Sequence, residues 1–144
     1  MGDRTDCING VETLVNTFIA ANPTLLKRVF TVRPPSLVTD LPCAFMDVGP
    51  GTLHYDSALR EWVFPVAIVF VDRLTDNEET DTRNDVLMDA FMDLMDLNPH
   101  VVAGTWWSDA TWTDDPQTLG GEGDPLNATG VRLTFDMHFL RGRI

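Results

Sequence analysis

Trp62-Val63-Phe64-Pro65-Val66-Ala67-Ile68-Val69-Phe70-Val71 is an unbroken run of ten apolar residues in a chain whose formal net charge is −12. A transmembrane helix needs about 20 such residues, so this run is too short to cross a bilayer. Its β-branched and aromatic content predicts a strand buried on both faces. Side chains alternate along a strand. Trp62, Phe64, Val66, Ile68 and Phe70 therefore share one face, and Val63, Pro65, Ala67, Val69 and Val71 share the other. Pro65 removes a ladder donor and is expected at a bulge or with its nitrogen toward an unpaired edge. The remaining sequence supplies two amphipathic helices, enough to cover one face of a sheet. Part of the second face is therefore expected to meet a neighbouring copy, with Val63 and Val69 as candidate contacts.

On the N-terminal side, Ile8, Val11, Leu14, Val15, Phe18 and Ile19 recur at helical spacing. They predict a helix over Asn9–Ala21, with Asn9 and Glu12 in capping-box spacing and Asn22-Pro23 as its stop. Lys27–Arg33 reads as a strand ended by Pro34-Pro35. Cys43–Val48 and Thr52–Asp56 flank Gly49-Pro50-Gly51, which predicts a hairpin leading into the long strand Glu61–Asp72. Asp72–Asp81 reads as an acidic loop. A second helix follows over Thr82–Leu97, capped by Thr82, ended by Asn98-Pro99 and buried through Val86, Leu87, Ala90, Phe91, Leu94 and Met95. His100–Thr113 holds a strand, Thr113–Asn127 reads as a long mobile loop, and Val131–Phe139 alternates as a half-buried strand. The expected fold is one α+β domain over residues 1–144, with a mostly antiparallel sheet of five to six strands and two helices packed on it.

Composition narrows the function. Asp plus Glu total 22 against ten Lys plus Arg, so a module that grips DNA from outside through phosphate contacts is disfavoured. An acidic wall instead suits a passage through which DNA slides without sticking. The N-terminus shows no basic region followed by an apolar stretch, so cytoplasmic synthesis is expected. Cys7 and Cys43 make no disulfide framework and read as buried thiols. His54, His100 and His138 lie in different elements without zinc-ligand spacing, and neither glycine cluster has the surroundings of a phosphate loop. His54 and Asp56 share a strand face and form the one acid/base pair suggested by local spacing. No enzyme, cofactor, metal or membrane association is expected.

Two polar and aromatic patterns remain. Asp81, Asp85, Asp89 and Asp93 recur every four residues, and Asp96 falls in the same arc, giving the second helix an acidic stripe. Asp85, Asp89, Asp93 and Asp96 are the candidate residues of a lumen or of a face for a basic partner. Trp106 and Trp107 are adjacent, so a strand sends them to opposite faces. Together with Trp112 they are candidate subunit contacts, since tryptophan is enriched at interface hot spots.

In its order of elements the chain resembles the tail terminator proteins of long-tailed bacteriophages of the lambda type, also called tail completion or minor tail proteins. The likeness runs through the N-terminal helix Asn9–Ala21, the strand after it and the link Arg33-Pro34-Pro35. It continues through the segment around Gly49-Pro50-Gly51, the long apolar strand, the acidic helix Thr82–Leu97 and two closing strands split by a Gly/Asp-rich loop. The resemblance implies a non-catalytic virion protein. Members form hexameric rings that cap the finished tail tube, end its polymerisation and offer the docking surface for the head. The implied partners are other copies of the chain, the tail-tube protein, a head-completion or connector protein, and double-stranded DNA that passes through without specific binding. A head-tail joining protein would share these features. A small acidic enzyme or ligand-binding domain, with a pocket between the sheet and Thr113–Asn127, is the alternative from another class.

Overall fold

The computed structural model describes residues 3–31, 41–55, 58–73, 77–101, 105–114, 117–119 and 126–142. Among them, two helices and seven paired strand segments make one α+β domain, the class expected from the sequence. The elements are α1 (Asp3–Ala21), β1 (Arg28–Phe30), β2 (Cys43–Val48), β3 (Thr52–Tyr55), β4 (Leu59–Arg73), α2 (Asn77–Leu97), β5 (Thr105–Asp114), β6 (Gln117–Leu119) and β7 (Leu126–Gly142). The sheet runs β1-β2-β4-β7-β5, with β3 on β4 and β6 on β7, and every pairing but the parallel β1–β2 is antiparallel. The central pair is long, because β4 lies in register with β7 from Leu59↔Gly142 to Arg73↔Ala128.

Both helices start earlier than the sequence suggests. α1 begins at Asp3 and α2 at Asn77, so Asn9 and Thr82 sit inside helices and cap nothing. Acidic side chains in the first turn, Asp3 and Asp6 in α1, favour the positive end of the helix dipole and extend the helix past the apolar repeat. Both stops fall as expected. The Asn22 amide reaches the Phe18 carbonyl at 3.2 Å and the Asn98 amide the Leu94 carbonyl at 2.8 Å, satisfying carbonyls that would otherwise be orphaned.

Gly49-Pro50-Gly51 does not turn a hairpin. β2 and β3 follow one another along the same edge of β4, with Val48 opposite Val66 and Thr52 opposite Val63. Residues 49–51 thus face only residues 64 and 65, which makes a bulge of one extra residue. Pro65 sits at this bulge. Its carbonyl accepts the Gly49 N–H at 2.8 Å, so its donor-less nitrogen points to the side where the ladder is already interrupted. The segment expected as a mobile loop over 113–127 is also partly sheet, since β5 reaches Asp114 and β6 pairs with Leu126–Ala128. Residues 115–116 and 120–125 lie outside the described residues, as do Pro34 and Pro35.

The helices pack on the even-numbered face of β4. Phe64, Val66, Ile68 and Phe70 join Val11, Val15, Phe18, Phe91, Met95 and every second residue of β7 from Val131 to Phe139 in one core. Val86, expected in that core, is 51% exposed; it stands about 100° around the helix from Leu87, outside the ridge Leu87-Phe91-Met95. Cys7 is buried in this core, and desolvation pushes its thiol from 9.0 up to about 12, with the Arg4 charge pulling the other way. Cys7 in the folded protein should therefore resist iodoacetamide at pH 8 and react in denaturant, as peptide mass spectrometry would report. The sign of the linkage also follows. Between 9.0 and about 12 the unfolded chain releases a proton that the folded chain keeps, so this thiol makes stability fall as pH rises through that window.

Candidate functional site

Among the described residues, no helix lies on the other face of the sheet. Its upper end is sealed within the chain, because Val69 and Val71 pack with Leu41, Cys43, Phe45 and Phe30 in a second, smaller core. Val69 is 1% exposed, which corrects its assignment as a subunit contact: it is packed with Leu41, Cys43, Phe45 and Val71 in the same chain. Val63 and Ala67 stay half-buried and Pro65 exposed, leaving a short apolar strip along the middle of β4. Asp47 pairs with Ala67 from β2, and Asp136 pairs with Pro65 from β7. Asp47, Pro65, Ala67 and Asp136 line, with Asp109, Arg132 and Thr134, an open trough of about 430 Å³. Three carboxylates against one guanidinium give it a negative lining over an apolar floor.

Below the trough, a chain of hydrogen bonds ties three strands together. His138 on β7 places Nδ1 at 3.2 Å from Glu61 Oε1 and Nε2 at 2.7 Å from Ser108 Oγ, while Ser108 Oγ donates to Asp109 Oδ2 at 3.2 Å. Trp106 stacks flat on the imidazole, with centroids 4.9 Å apart and planes 2° from parallel. Register explains the meeting, since Val63 and Trp106 both lie opposite His138 and Ser108 lies opposite Asp136. Beside it β5 breaks register between Ser108 and Thr111, and Asp109 has φ of 59°, an αL conformation that Asp tolerates better than most residues.

Serine on imidazole on carboxylate is the order of an activated nucleophile. Here Ser108 Oγ is shared between His138 Nε2 at 2.7 Å and a second carboxylate, Asp109 Oδ2, at 3.2 Å. Ser108 also stands within a paired strand, without the sharp strand-to-helix turn that exposes a nucleophile. The arrangement ties β4, β5 and β7 together beside the stacked Trp106 ring. No family model matches this sequence, and no curated protein matches it.

The three candidate tryptophans part company. Trp106 lies on the helix-free face, as its neighbour's opposite. Trp107 and Trp112 are half-buried against the main core instead, Trp107 donating to the Met95 carbonyl at 3.3 Å and Trp112 packing near Phe70 and Phe91. They help to hold α2 against β5 and keep part of their surface exposed. Asp85, Asp89, Asp93 and Asp96 are all exposed on α2, along one side of the helix. Arg83 reaches back to Asp72 on β4 at 3.2 Å. His54 is exposed on β3, and its suggested partner Asp56 lies outside the described residues. Among the described residues no group of three or more potential metal ligands converges, and no helix is long and apolar enough to cross a membrane.

Sequence reasoning missed Glu61, Ser108, Asp109 and Asp136 as a group. Alternation along β7 already puts Asp136 and His138 on the outward side. Only the register reveals what stands across from them.

Proposed function

We propose that this chain is a structural virion protein that forms a ring on the head-proximal end of a phage tail tube, ends tube polymerisation and presents the surface to which the head docks. The observation that carries the reading is the one-sided cover of the sheet. Among the described residues both helices pack on a single face, and the other keeps a half-exposed apolar strip beside an open trough and a stacked tryptophan. Rigid aromatic groups on an otherwise uncovered surface suit subunit contacts. The order of elements along the chain agrees with the tail terminator resemblance, which supplies the role and the tube, connector and DNA partners. The exposed stripe Asp85, Asp89, Asp93 and Asp96 suits a lumen wall, because it repels phosphate and lets DNA pass without binding.

Negative-stain microscopy of the purified protein, alone and added to polymerising tail-tube protein, tests the proposal. Closed rings with a DNA-wide opening, and tubes that stop growing once capped, are the expected result. Monomers that leave tube growth unchanged would overturn it. The stripe gives a second test. Asp85→Asn, Asp89→Asn and Asp93→Asn together should leave folding intact or improved, since each like-charge pair at this spacing costs about 0.2–0.5 kcal/mol. Infectivity or capping should nonetheless fall. A triple variant with wild-type capping and infectivity would reduce the stripe to a solvated face.

A further inference from the structure

Four side chains share three contacts on the sheet face opposite the helices: Glu61 Oε1 with His138 Nδ1, His138 Nε2 with Ser108 Oγ, and Ser108 Oγ with Asp109 Oδ2. Each contact needs a hydrogen of its own. Ionised carboxylates bring none, the hydroxyl brings one, and a neutral imidazole brings one. Two hydrogens cannot fill three contacts. An imidazolium carries a hydrogen on each nitrogen and completes the set, with Nδ1–H donating to Glu61, Nε2–H to Ser108, and the hydroxyl to Asp109. The neighbouring charged groups are Glu61 from β4, Asp109 from β5 and Asp136 two places along β7. His54 on β3 lies across from Glu61.

We propose that His138 is a proton-operated latch on β5: the charged imidazole holds Asp109 against Ser108, and the neutral imidazole releases it. The latch goes beyond the proposed virion role and does not depend on it. Solvent decides which link opens. The Ser108–Asp109 bond is exposed, whereas the two bonds to His138 are half-buried. Water replaces an exposed partner at little cost, while a buried polar group left unpaired costs far more. A neutral imidazole therefore keeps Nδ1–H on Glu61 and accepts the Ser108 hydroxyl at Nε2, which leaves Oγ lone pairs facing the Asp109 carboxylate. Asp109 stands at φ 59° in the register break between Ser108 and Thr111, on the strand that ends the main path of the sheet. It also lines the trough. The tether on this bulge is present while the imidazole is charged and is lost as pH rises through about 5–8, the range in which histidine changes charge. The trough then has a fixed Asp109 wall on the acid side of that range and a released one on the alkaline side.

Nuclear magnetic resonance of the isotope-labelled full chain, titrated over about pH 5–8, tests the latch. The backbone amide shifts of Asp109 and Ala110 should move together with the ring nitrogens of His138, with one shared midpoint. Ser108→Ala removes the relay and should make those two amides insensitive to the imidazole. Asp109→Asn puts an amide that can donate to Oγ where the carboxylate only accepts, which supplies the missing hydrogen. Its Ala110 shift should flatten across the same range. His54→Gln removes the imidazole across from Glu61 and should leave the wild-type coupling in place. Asp109 and Ala110 shifts that ignore His138 in the wild type, or that follow it unchanged in Ser108→Ala, would overturn the latch. An imidazole that takes up no second proton by about pH 5, or a coupling abolished by His54→Gln, would overturn it equally. None of these outcomes bears on ring assembly, so the proposed function stands or falls separately.

Discussion

Phe91→Ala is expected to lower the unfolding free energy by about 3–5 kcal/mol, the range for emptying a buried aromatic site. The size follows from where the ring sits. Phe91 is fully buried, and its ring centroid lies 5.2 Å from that of Phe18, 5.0 Å from Phe70 and 6.4 Å from Trp112, all in edge-on geometry. One side chain of α2 thus joins α1, β4 and β5 at a single point. Edge-to-face pairs add stabilisation beyond the buried area, and three partners lose a neighbour together. The cavity is walled by rings fixed on separate elements, which limits how far the site can collapse. Denaturant unfolding followed by tryptophan fluorescence should show a lower midpoint with an unchanged slope. A loss below about 1 kcal/mol would mean that α2 is held to the sheet by something other than this cluster.

Local periodicity made this core readable before any pairing was known. In α1, Val11, Leu14, Val15 and Phe18 are buried as the helical repeat requires, and in β7 every second residue from Val131 to Phe139 is buried. These patterns depend only on 3.6- and 2-residue geometry, which a sequence states directly. The edge of β4 was less legible, because glycine and proline mark a break in a strand without saying whether the chain reverses or bulges. Two strands flanking Gly49-Pro50-Gly51 suit a hairpin equally well; Pro65, with its missing donor, held the information that the interruption lies across from it. Val69 shows the same limit from the packing side. Its apolar neighbours were visible, but Leu41 and Phe45 bury it within the chain, which no local pattern specifies. The acidic trough and the His138 hydrogen bonds likewise assemble from β2, β4, β5 and β7, so their residues carry no shared signal until the register is set.

Gly51→Ala should destabilise the fold by about 1–3 kcal/mol, the usual cost of forcing an extra carbon into a packed site. A Cβ on Gly51 would lie 2.6 Å from Phe64 Cε1, 2.9 Å from Phe64 Cδ1 and 2.8 Å from Trp62 Cε3. The Phe64 ring has no easy escape. Phe64 is buried, its centroid 5.7 Å from the Trp62 ring stacked on it and 5.7 Å from Phe139 edge-on. The bulge itself is pinned at Gly49, where the N–H is bonded to the Pro65 carbonyl and a Cβ would meet Pro65 Cγ at 2.8 Å. Strain at Gly51 must then pass either into the aromatic stack or down β3 toward Tyr55. A double-mutant cycle separates these routes. If the clash with Phe64 carries the cost, Gly51→Ala combined with Phe64→Leu should lose less than the sum of the single changes, with a coupling of about 0.5 kcal/mol or more. Strict additivity would locate the cost in the backbone of the bulge.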